Sequence, residues 1–490
     1  MEREKFGSRL GFILVSAGCA IGLGNVWKFP YMTGKYGGAA FILIYLVFLL
    51  ILGLPIMVCE FSVGRASQTS IAASFRKLEP EGTKWHCLQW FGMAGNYLLV
   101  MFYTTVAGWM LYYCWRMAAG EFVGAGSEQV KTAFLSMQDS TSTMIFWTFL
   151  VIFLSAGICF AGLQKGVEKV TKVMMICLLA LMLVLAVHSV TLEGAGEGVR
   201  FYLIPDFQKM AENGIGTVVF GAMSQAFFTL SIGMGGMAIF GSYLTKERSL
   251  TGETLQIIGL DTFVALMAGL IVIPACFAFG VEPDAGPGLV FLTLPNIFTQ
   301  MAGGRLWGTL FFLFLTFAAL TTVIGVFENI ISFAVDLGNM SRKKAVLLNL
   351  AVLLIGSLPC ILGFGILSGF QPLGAGTNIM DLEDFLVSNN ILPLGSVIYL
   401  LFCTRKNAWG WKNFIQEANA GSGISFPRKI RGYMTYVLPW IVVVIYLKGY
   451  YDMFHGKGMG LFGFWMAVAA ALLLMILSVS RIPLGRKARD

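Results

Sequence analysis

Two glycine-rich segments are the parts of this sequence best suited to chemistry, and they would act through main-chain groups. They are residues 18–25, which read GCAIGLGN, and residues 229–236, which read TLSIGMGG, and both lie inside apolar runs. Glycine weakens a helix by about 1 kcal/mol relative to alanine, so each segment predicts a helix break. Because lipid cannot satisfy the carbonyls and amides that a break exposes, these groups must line a cavity or bind a ligand.

The exposed main-chain groups indicate what that ligand is. A half-helix that begins at a break presents free amides and a positive dipole end, which suit a carboxylate. A half-helix that ends at a break presents carbonyl oxygens, which suit a hard cation such as sodium. One zwitterionic substrate bound together with sodium would satisfy both. The alternative for a single glycine cluster is tight packing, since small residues let membrane helices approach closely.

The composition places these breaks in a membrane. The chain has 490 residues, of which 57% are hydrophobic and 12% are charged, and its mean hydropathy is +0.77. A soluble domain carries about 25% charged residues, and a helix needs roughly 20 apolar residues to span a bilayer. We therefore predict an all-α polytopic membrane protein, a single transmembrane domain over residues 1–490 that contacts the lipid bilayer and no nucleic acid. The twelve predicted helices lie near residues 10–34, 38–63, 88–118, 143–162, 167–187, 213–243, 254–280, 305–336, 343–363, 378–404, 433–452 and 459–480.

The basic residues predict the orientation of these helices. If the helices alternate from a cytoplasmic N-terminus, most of the 34 lysines and arginines fall on the cytoplasmic side. That bias predicts a multi-pass protein of the plasma (inner) membrane with both termini in the cytoplasm. The first residues show no signal-peptide cleavage site, so we expect the first helix to be retained.

The two predicted breaks occupy matching positions in two successive sets of five helices. The sets cover residues of about 6–190 and about 210–405, and two further helices follow at about 431–481. Because five is odd, the second set starts from the opposite side of the membrane, and the repeat is inverted. Interrupted helices at matching positions of two halves are typical of the binding site of a transporter.

Other classes of membrane protein fit the sequence less well. An enzyme would need a nucleophile and a base or a metal cluster at membrane depth. No histidine lies near an intramembrane serine, cysteine or aspartate, and the nine cysteines contain no CxxC pair. We interpret most of these cysteines as small buried hydrophobic residues. A channel would not require saturable coupling to sodium, and a sensor built on a transporter scaffold remains an alternative.

Four motifs resemble the neurotransmitter:sodium symporter family, whose bacterial members include amino-acid transporters of the LeuT-type fold. They are GFILVSAGCAIGLGNVWKFPYMTGKYGGAAF from residue 11, SQAFFTLSIGMGG from 224, LVFLTLPNIFTQMAGGRLWG from 289 and FAALTTVIGVFEN from 317. The resemblance covers residues 6–405. It implies a 5+5 inverted repeat with broken helices 1 and 6, and sodium-coupled symport of a small amino acid into the cell by alternating access.

The resemblance also implies two sodium sites made of oxygen ligands, which suit a hard cation. The first site would consist of Ala20, Asn25, Thr229 and Asp261. The second site would consist of Gly18, Ile21, Ala318, Thr321 and Thr322. For the two adjacent threonines alone, hydroxyls that bond back to their own helix are the commoner arrangement.

A substrate site and two gates follow from the same resemblance. The substrate carboxylate would meet the main-chain amides of Leu23 and Gly24 and the hydroxyl of Tyr103, and Phe228 would cover the site. The full set implied for substrate binding is Cys19, Ala20, Leu23, Gly24, Leu99, Tyr103, Phe228, Thr229, Ser231, Met234, Thr322 and Val326. The outer gate would pair Lys28 with Asp384, the inner gate would pair Arg3 with Asp336, and Glu60 and Gln225 would support the broken backbone. Helix capping near water is the alternative interpretation of the gate charges.

Departures from the family pattern predict the substrate. Cys19 stands where carriers of monoamines have aspartate, so the substrate should bring its own carboxylate, as an amino acid does. Asp261 stands where many relatives have asparagine, and Ala265 stands where chloride-dependent relatives have serine, so we expect transport without chloride. Met234 between two glycines makes a flexible pocket wall, which favours a bulky apolar or aromatic amino acid. The sequence fits a monomer and a homodimer equally.

Overall fold

The computed structural model describes residues 4–212, 214–281 and 288–481, so the predicted gate residue Arg3 lies outside the described residues. Within these ranges the chain is helical, and its only β-type pairing is a single bridge between Arg248 and Ser422. The prediction of an all-α polytopic fold is therefore confirmed. The division into two inverted repeats stays a prediction.

The membrane helices, which we label α1 to α12 in chain order, include ten that are long and apolar enough to cross a bilayer unbroken. These ten are α2 (Ala39–Ser67), α3 (Trp85–Ala119), α4 (Thr141–Phe160), α5 (Leu163–Val190), α7 (Leu250–Ala278), α8 (Gly304–Gly338), α9 (Arg342–Leu362), α10 (Ile379–Thr404), α11 (Arg428–Phe454) and α12 (Met459–Arg481). The other two segments are interrupted. Helix α1 consists of Arg9–Ala20 and Gly24–Lys35, which meet at 59°, and α6 consists of Ile215–Thr229 and Gly236–Ser242.

Short helices connect the membrane segments outside the long spans. They are Ile71–Leu78, Ser127–Asp139, Ala195–Leu203, Phe207–Glu212, Leu289–Gln300 and Gly410–Ala418. The two broken helices lie at the centre of the bundle, where α3 and α8 form the most extensive helix pair. Helix α12 is largely exposed and lies at the periphery. The centre of the bundle therefore holds the segments that the sequence predicts to be functional.

Wide π-helical turns occur at six places in the described helices. They are Gly24–Lys28, Leu49–Gly53, Leu163–Glu168, Leu289–Thr293, Leu386–Ile391 and Tyr433–Val437. A proline stands two residues after five of these turns, at Pro30, Pro55, Pro295, Pro393 and Pro439. Proline lacks an N–H and its ring collides with the carbonyl four residues earlier, and a widened turn relieves both problems. The turn that opens α5 is the exception, because no proline follows it.

The cysteines divide by depth. Six of the nine are buried, Cys114 is half-buried, and Cys87 and Cys177 are exposed. Most of the nine are therefore buried, in agreement with their interpretation as small buried hydrophobic residues. Cys177 lies on the outward-facing side of α5, where an apolar run faces lipid instead of protein, and sequence alone does not separate those two environments.

Candidate substrate and cation site

The break in α1 leaves main-chain groups that side chains from other helices then bind. Helix Arg9–Ala20 ends at Ile21, whose ψ of 101° is extended. The Leu23 amide donates a hydrogen bond to the Tyr103 hydroxyl at 2.8 Å. The Gln225 side-chain amide donates to the Gly24 carbonyl at 2.8 Å. The freed backbone of α1 is thus held by single polar side chains of α3 and α6.

The break in α6 is longer and has a different geometry. Three of its residues have positive φ, with values of 48° at Ser231, 106° at Gly233 and 81° at Gly235. A β-carbon built on Gly233 would lie 2.0 Å from the carbonyl oxygen of Leu392 in α10. Only glycine fits there, because the backbone conformation and the neighbouring helix both exclude a side chain.

A buried carboxylate and a buried amide cap the break in α6. Glu60 of α2 accepts hydrogen bonds from the Gly233 amide, at a short distance, and from the Met237 amide at 3.2 Å. The Asn96 side chain of α3 donates to the Met234 carbonyl at 2.8 Å. Glu60 was singled out from the sequence as an intramembrane acid. Asn96 was not predicted from the sequence, although a side-chain amide within an apolar helix also indicates a polar role inside the membrane.

The residues predicted for the first sodium site lie together. Asn25 donates to the Asp261 carbonyl at 3.1 Å, and the Thr229 hydroxyl donates to Asp261 Oδ2 at 3.3 Å. The Oδ1 atom of Asp261 is buried and has no hydrogen-bond partner among the described residues. An ionised carboxylate oxygen in such a place needs a positive partner, because burying it alone costs several kcal/mol. These oxygen donors fit a hard cation such as sodium.

The residues predicted for the second sodium site also converge, at the junction of α1 and α8. The Thr322 hydroxyl lies 3.0 Å from the carbonyl oxygen of Ile21, 3.4 Å from that of Gly18 and 3.3 Å from that of Ala318. The Thr321 hydroxyl lies 3.0 Å from the Ala318 carbonyl oxygen. All five residues offer oxygen, and no group of three or more His, Cys, Asp or Glu in the described chain could hold a metal ion. The donor set therefore fits an alkali cation better than a transition metal.

A cavity of about 350 Å³ lies between the two breaks. Ten of the predicted substrate residues line it, namely Ala20, Leu23, Gly24, Leu99, Tyr103, Phe228, Thr229, Ser231, Met234 and Thr322. Cys19 and Val326 do not line it. Both are buried, and Cys19 packs against Gly325 of α8, where a built β-carbon would come within 2.7 Å of it.

Further lining residues were missed by the sequence analysis. They are Gly22, Trp27, Tyr31, Phe102, Val106, Met380, Asp381, Val387, Ser388 and Leu392, and the predicted gate residues Lys28 and Asp384 join them. Phe102 and Val106 follow Leu99 at helical spacing, so the face of α3 could have revealed them. Met380, Asp381, Val387 and Ser388 lie close to the predicted gate residue Asp384 of α10, whereas Leu392 is remote in sequence from every motif.

The predicted outer gate residues line the same cavity without pairing directly. Among the described ion pairs there is none between Lys28 and Asp384. The Lys28 ammonium instead lies 3.7 Å from the centre of the Phe228 ring, a cation–π contact. Asp384 accepts a hydrogen bond from the Ser388 hydroxyl at 2.7 Å. The cation and the predicted lid are thus joined, and the carboxylate is held on its own helix.

Asp336 lies near the C-terminal end of α8, and its carboxylate accepts a hydrogen bond from the Ser70 amide at 2.6 Å. Its predicted partner Arg3 is outside the described residues. Eight residues earlier in α8, just over two turns away, buried Glu328 pairs with Arg342 of α9 and accepts a hydrogen bond from Tyr243 at 2.8 Å. Polar contacts therefore connect the ends of α6, α8 and α9 on this side.

Comparison with known proteins identifies the family. The model of the "Sodium:neurotransmitter symporter family" matches residues 3–125 and 121–489. The chain is 34% identical to the sodium-dependent transporter YhdH of Bacillus subtilis, over 91% of this chain and 97% of that protein. It is 32% identical to the sodium-dependent transporter MJ1319 of Methanocaldococcus jannaschii, over 82% of this chain and 81% of that protein.

A solved structure agrees with these sequence relatives. The crystal structure of MhsT in complex with L-phenylalanine matches with a TM-score of 0.80 and 36% sequence identity, covering 91% of this chain and 99% of that one. Its close match supports the LeuT-type fold that the four motifs imply. The relatives are transporters, and the interpretation of the chain as a protein other than an enzyme is confirmed. The chain belongs to the sodium:neurotransmitter symporter family and is a membrane-spanning, sodium-dependent symporter.

Proposed function

We propose that this symporter carries a bulky apolar or aromatic amino acid into the cell, with two sodium ions and without chloride. The observation that carries this proposal is the cavity between the two helix breaks. At one end it presents the Tyr103 hydroxyl, whose oxygen accepts from the Leu23 amide and whose O–H is a donor for a carboxylate, and its remaining wall is mainly apolar.

The substrate class is inferred from the cavity wall. Apolar side chains from three helices, α3, α6 and α10, surround the space beyond the proposed carboxylate-binding end, namely Leu99, Phe102, Val106, Phe228, Met234 and Leu392. No lysine or arginine other than Lys28 lines the described cavity, and Asp381 and Asp384 lie on α10 at the gate. Such a wall favours a large uncharged side chain. MhsT, at 36% identity, was crystallised with L-phenylalanine, which agrees with this inference.

The two proposed sodium sites would couple binding to the shape of α1. Asp261 Oδ1 supplies a buried carboxylate oxygen to the first site, beside Asn25 and Thr229. The second site joins carbonyls on the first half of α1 to hydroxyls of α8. Sodium would neutralise Asp261 and hold the two halves of α1 in place, so that sodium and substrate favour the same conformation. Such differential affinity is what couples two ligands thermodynamically.

Chloride independence follows from the donors available near Asp261. An anion site needs hydrogen-bond donors, but the Gln225 amide already donates to Gly24, and its Oε1 is a buried acceptor without a described partner. Ala265 offers no polar atom, and the hydroxyls of Tyr45 and Ser224 are too few donors for an anion. Asp261 would itself supply the negative charge that chloride supplies in relatives with serine at the position of Ala265.

Transport would proceed by alternating access in the plasma membrane, with both termini in the cytoplasm. Sodium would first organise the broken helices and favour the form open to the outside. Substrate would then draw Phe228 and the Lys28–Asp384 gate over the site. Helices α1, α2, α6 and α7 would rock against the others, and loss of the second sodium would free the first half of α1.

The proposal is tested with purified protein in proteoliposomes. Uptake of labelled phenylalanine should require an inward sodium gradient and should compete with tryptophan, tyrosine and leucine but not with taurine or lysine. Replacing chloride by gluconate should leave the rate unchanged, and loss of uptake in gluconate would refute chloride independence. Saturable exchange of labelled for unlabelled phenylalanine distinguishes a carrier from a channel and from a sensor that binds without transport.

A further inference from the structure

Two carboxylates bind the segment before α1 to the beginning of α5. One belongs to α5 and bonds to the segment, and the other belongs to the segment and bonds to α5. Glu168 of α5 accepts hydrogen bonds from the Gly7 amide at 2.7 Å and from the Ser8 hydroxyl at 2.8 Å. Glu4 in turn accepts a hydrogen bond from the Leu163 amide at 3.0 Å. Each segment thus presents a carboxylate to a main-chain amide of the other, and we call this arrangement the reciprocal clamp.

The clamp is strong because its central carboxylate is buried and fully engaged. Glu168 is 7% exposed, and hydrogen bonds to a charged group are stronger than those between neutral groups. Ser8 also caps α1, since its hydroxyl accepts a hydrogen bond from the Gly11 amide at 3.0 Å. Glu168 therefore holds the residue at which the first half of α1 begins.

The same helix interface continues from the clamp to the second cation site. A β-carbon built on Gly18, whose carbonyl belongs to that site, would lie 3.2 Å from side-chain atoms of Thr171 and Met175 of α5. Movement of the first half of α1 away from α5 must therefore break the clamp and open the cation site together. In the proposed mechanism α1 belongs to the moving bundle and α5 to the static part.

A second tether of the same segment provides the contrast. Arg9 donates to Glu253 of α7 at 3.0 Å, and Glu253 is 4% exposed. Because α1 and α7 would move as one body, this contact would persist throughout the cycle, whereas the contact with Glu168 would be made and broken. The two glutamates match in type and burial and differ in what they connect.

We propose that Glu168 is a positioning residue that latches the first half of α1 to α5, and that its release from Gly7 and Ser8 precedes sodium and substrate exit to the cytoplasm. This inference rests on the alternating-access part of the proposed function. Weakening the latch should shift the population toward the form open to the inside, without changing any group that contacts sodium or substrate.

Hydrogen–deuterium exchange on the full chain in lipid nanodiscs tests the latch without substrate. Wild type in sodium should protect residues 4–20 and 160–170, and Glu168→Gln should raise their exchange about tenfold, the order expected for one lost charge-assisted hydrogen bond. Gly11→Ala should act similarly, because a β-carbon there would lie 1.9 Å from Glu168 Oε1 and would displace the flexible carboxyl. This second variant leaves Glu168 itself in place.

Glu253→Gln is the matched control and should leave exchange of residues 160–170 at the wild-type level. Unchanged exchange in both Glu168→Gln and Gly11→Ala would overturn the latch, and so would an equal rise in Glu253→Gln. Failure of the transport proposal is seen separately, as absent phenylalanine uptake by wild type. Exchange in sodium compared with potassium needs no substrate and remains informative in that case.

Discussion

The two broken helices differ in how their freed main-chain groups are held. The break in α6 is held by backbone geometry, with three residues at positive φ, and by Glu60 and Asn96, which are buried and do not line the central cavity. The break in α1 has no residue at positive φ, and its freed groups contact Tyr103 and Gln225 beside the cavity and the cation sites. The part of the α6 break around Gly233 is therefore scaffold, although Ser231 and Met234 beside it line the cavity, whereas the freed groups of the α1 break lie beside the cavity and the cation sites.

This difference predicts separate consequences of mutation. Changes at the α6 break should lower the thermal stability of the protein whether or not ligands are bound. Changes at the α1 break should lower ligand affinity and leave the stability of the sodium-free protein nearly unchanged. Four substitutions test this contrast, and we give them in order of decreasing expected effect.

The largest effect is expected for Gly233→Ala in the α6 break. The added methyl group would lie 2.0 Å from the Leu392 carbonyl oxygen in a backbone conformation with φ of 106°. Strain of this kind costs about 1–3 kcal/mol before the collision is counted, so we expect little monodisperse protein in size-exclusion chromatography. Gly236→Ala is the control, since its methyl group would meet only Asn329 Nδ2, at 3.4 Å. Equal yields of the two variants would contradict the assignment of the break to the scaffold.

Glu60→Gln should have the second largest effect. The neutral amide would direct an NH₂ group or a weaker acceptor at the Gly233 and Met237 amides. Loss of charge-assisted hydrogen bonds to buried amides should cost about 2–4 kcal/mol. A thermal-melting assay with fluorescence-detected chromatography should show a lower midpoint in sodium and in potassium alike. A variant with unchanged melting and reduced sodium affinity would place Glu60 with the ligand sites instead.

Tyr103→Phe should act on affinity and not on stability. It removes the hydroxyl that the Leu23 amide contacts, and with it one donor proposed for the substrate carboxylate. We expect the dissociation constant for phenylalanine to rise about tenfold, equivalent to the loss of one hydrogen bond. A scintillation proximity assay measures it. Tyr113→Phe is the control, because the Tyr113 hydroxyl is buried without a described partner. If Tyr103→Phe lowered the melting point as much as Glu60→Gln, the proposed difference between the α1 and α6 breaks would be wrong.

Lys28→Gln should have the smallest effect. It removes the cation–π contact with the Phe228 ring, worth about 0.5–2 kcal/mol. Because that contact steadies the proposed lid, substrate dissociation should become a fewfold faster, as measured by isotope dilution of bound phenylalanine. Lys35→Gln on the same half of α1 lies outside the cavity wall and should change nothing. Identical dissociation rates in the Lys28 variant and wild type would remove Lys28 from the gate.

Much of the fold and part of the candidate site could be predicted from sequence. Clusters of glycine among apolar residues reveal helix breaks because glycine weakens helices locally, and both breaks occur at the predicted segments. Asp384 of α10 was predicted, but the contribution of Leu392, further along the same helix, could not be predicted in the same way. The π-helical turn at Leu386–Ile391 inserts a residue, which rotates the following face by about 100° relative to a regular helix. Leu392 therefore lines the cavity, although no sequence motif includes it.

Errors at the cavity wall have a related cause. Cys19 directly precedes Ala20, which lines the cavity, but Cys19 itself packs against Gly325 of α8. Val326 is buried one turn after Thr322, which also lines the cavity. A helix turns by 100° per residue, so neighbours in sequence face different environments. Sequence places a motif near a site, while the rotation of each helix about its axis comes from packing against helices that are remote in the chain.

The missing proline after Leu163–Glu168 has a consequence for how α5 works. In the other five wide turns the ring fixes the extra residue in place, since an ordinary turn before proline is sterically excluded. No proline fixes it in α5, so we expect that the insertion is able to move along the helix. Each one-residue step would rotate the Glu168 carboxylate by about 100° away from Ser8. A proline introduced at Val170 would pin the insertion, and slower turnover with unaltered sodium affinity in that variant would show that a sliding register helps to open the cytoplasmic side.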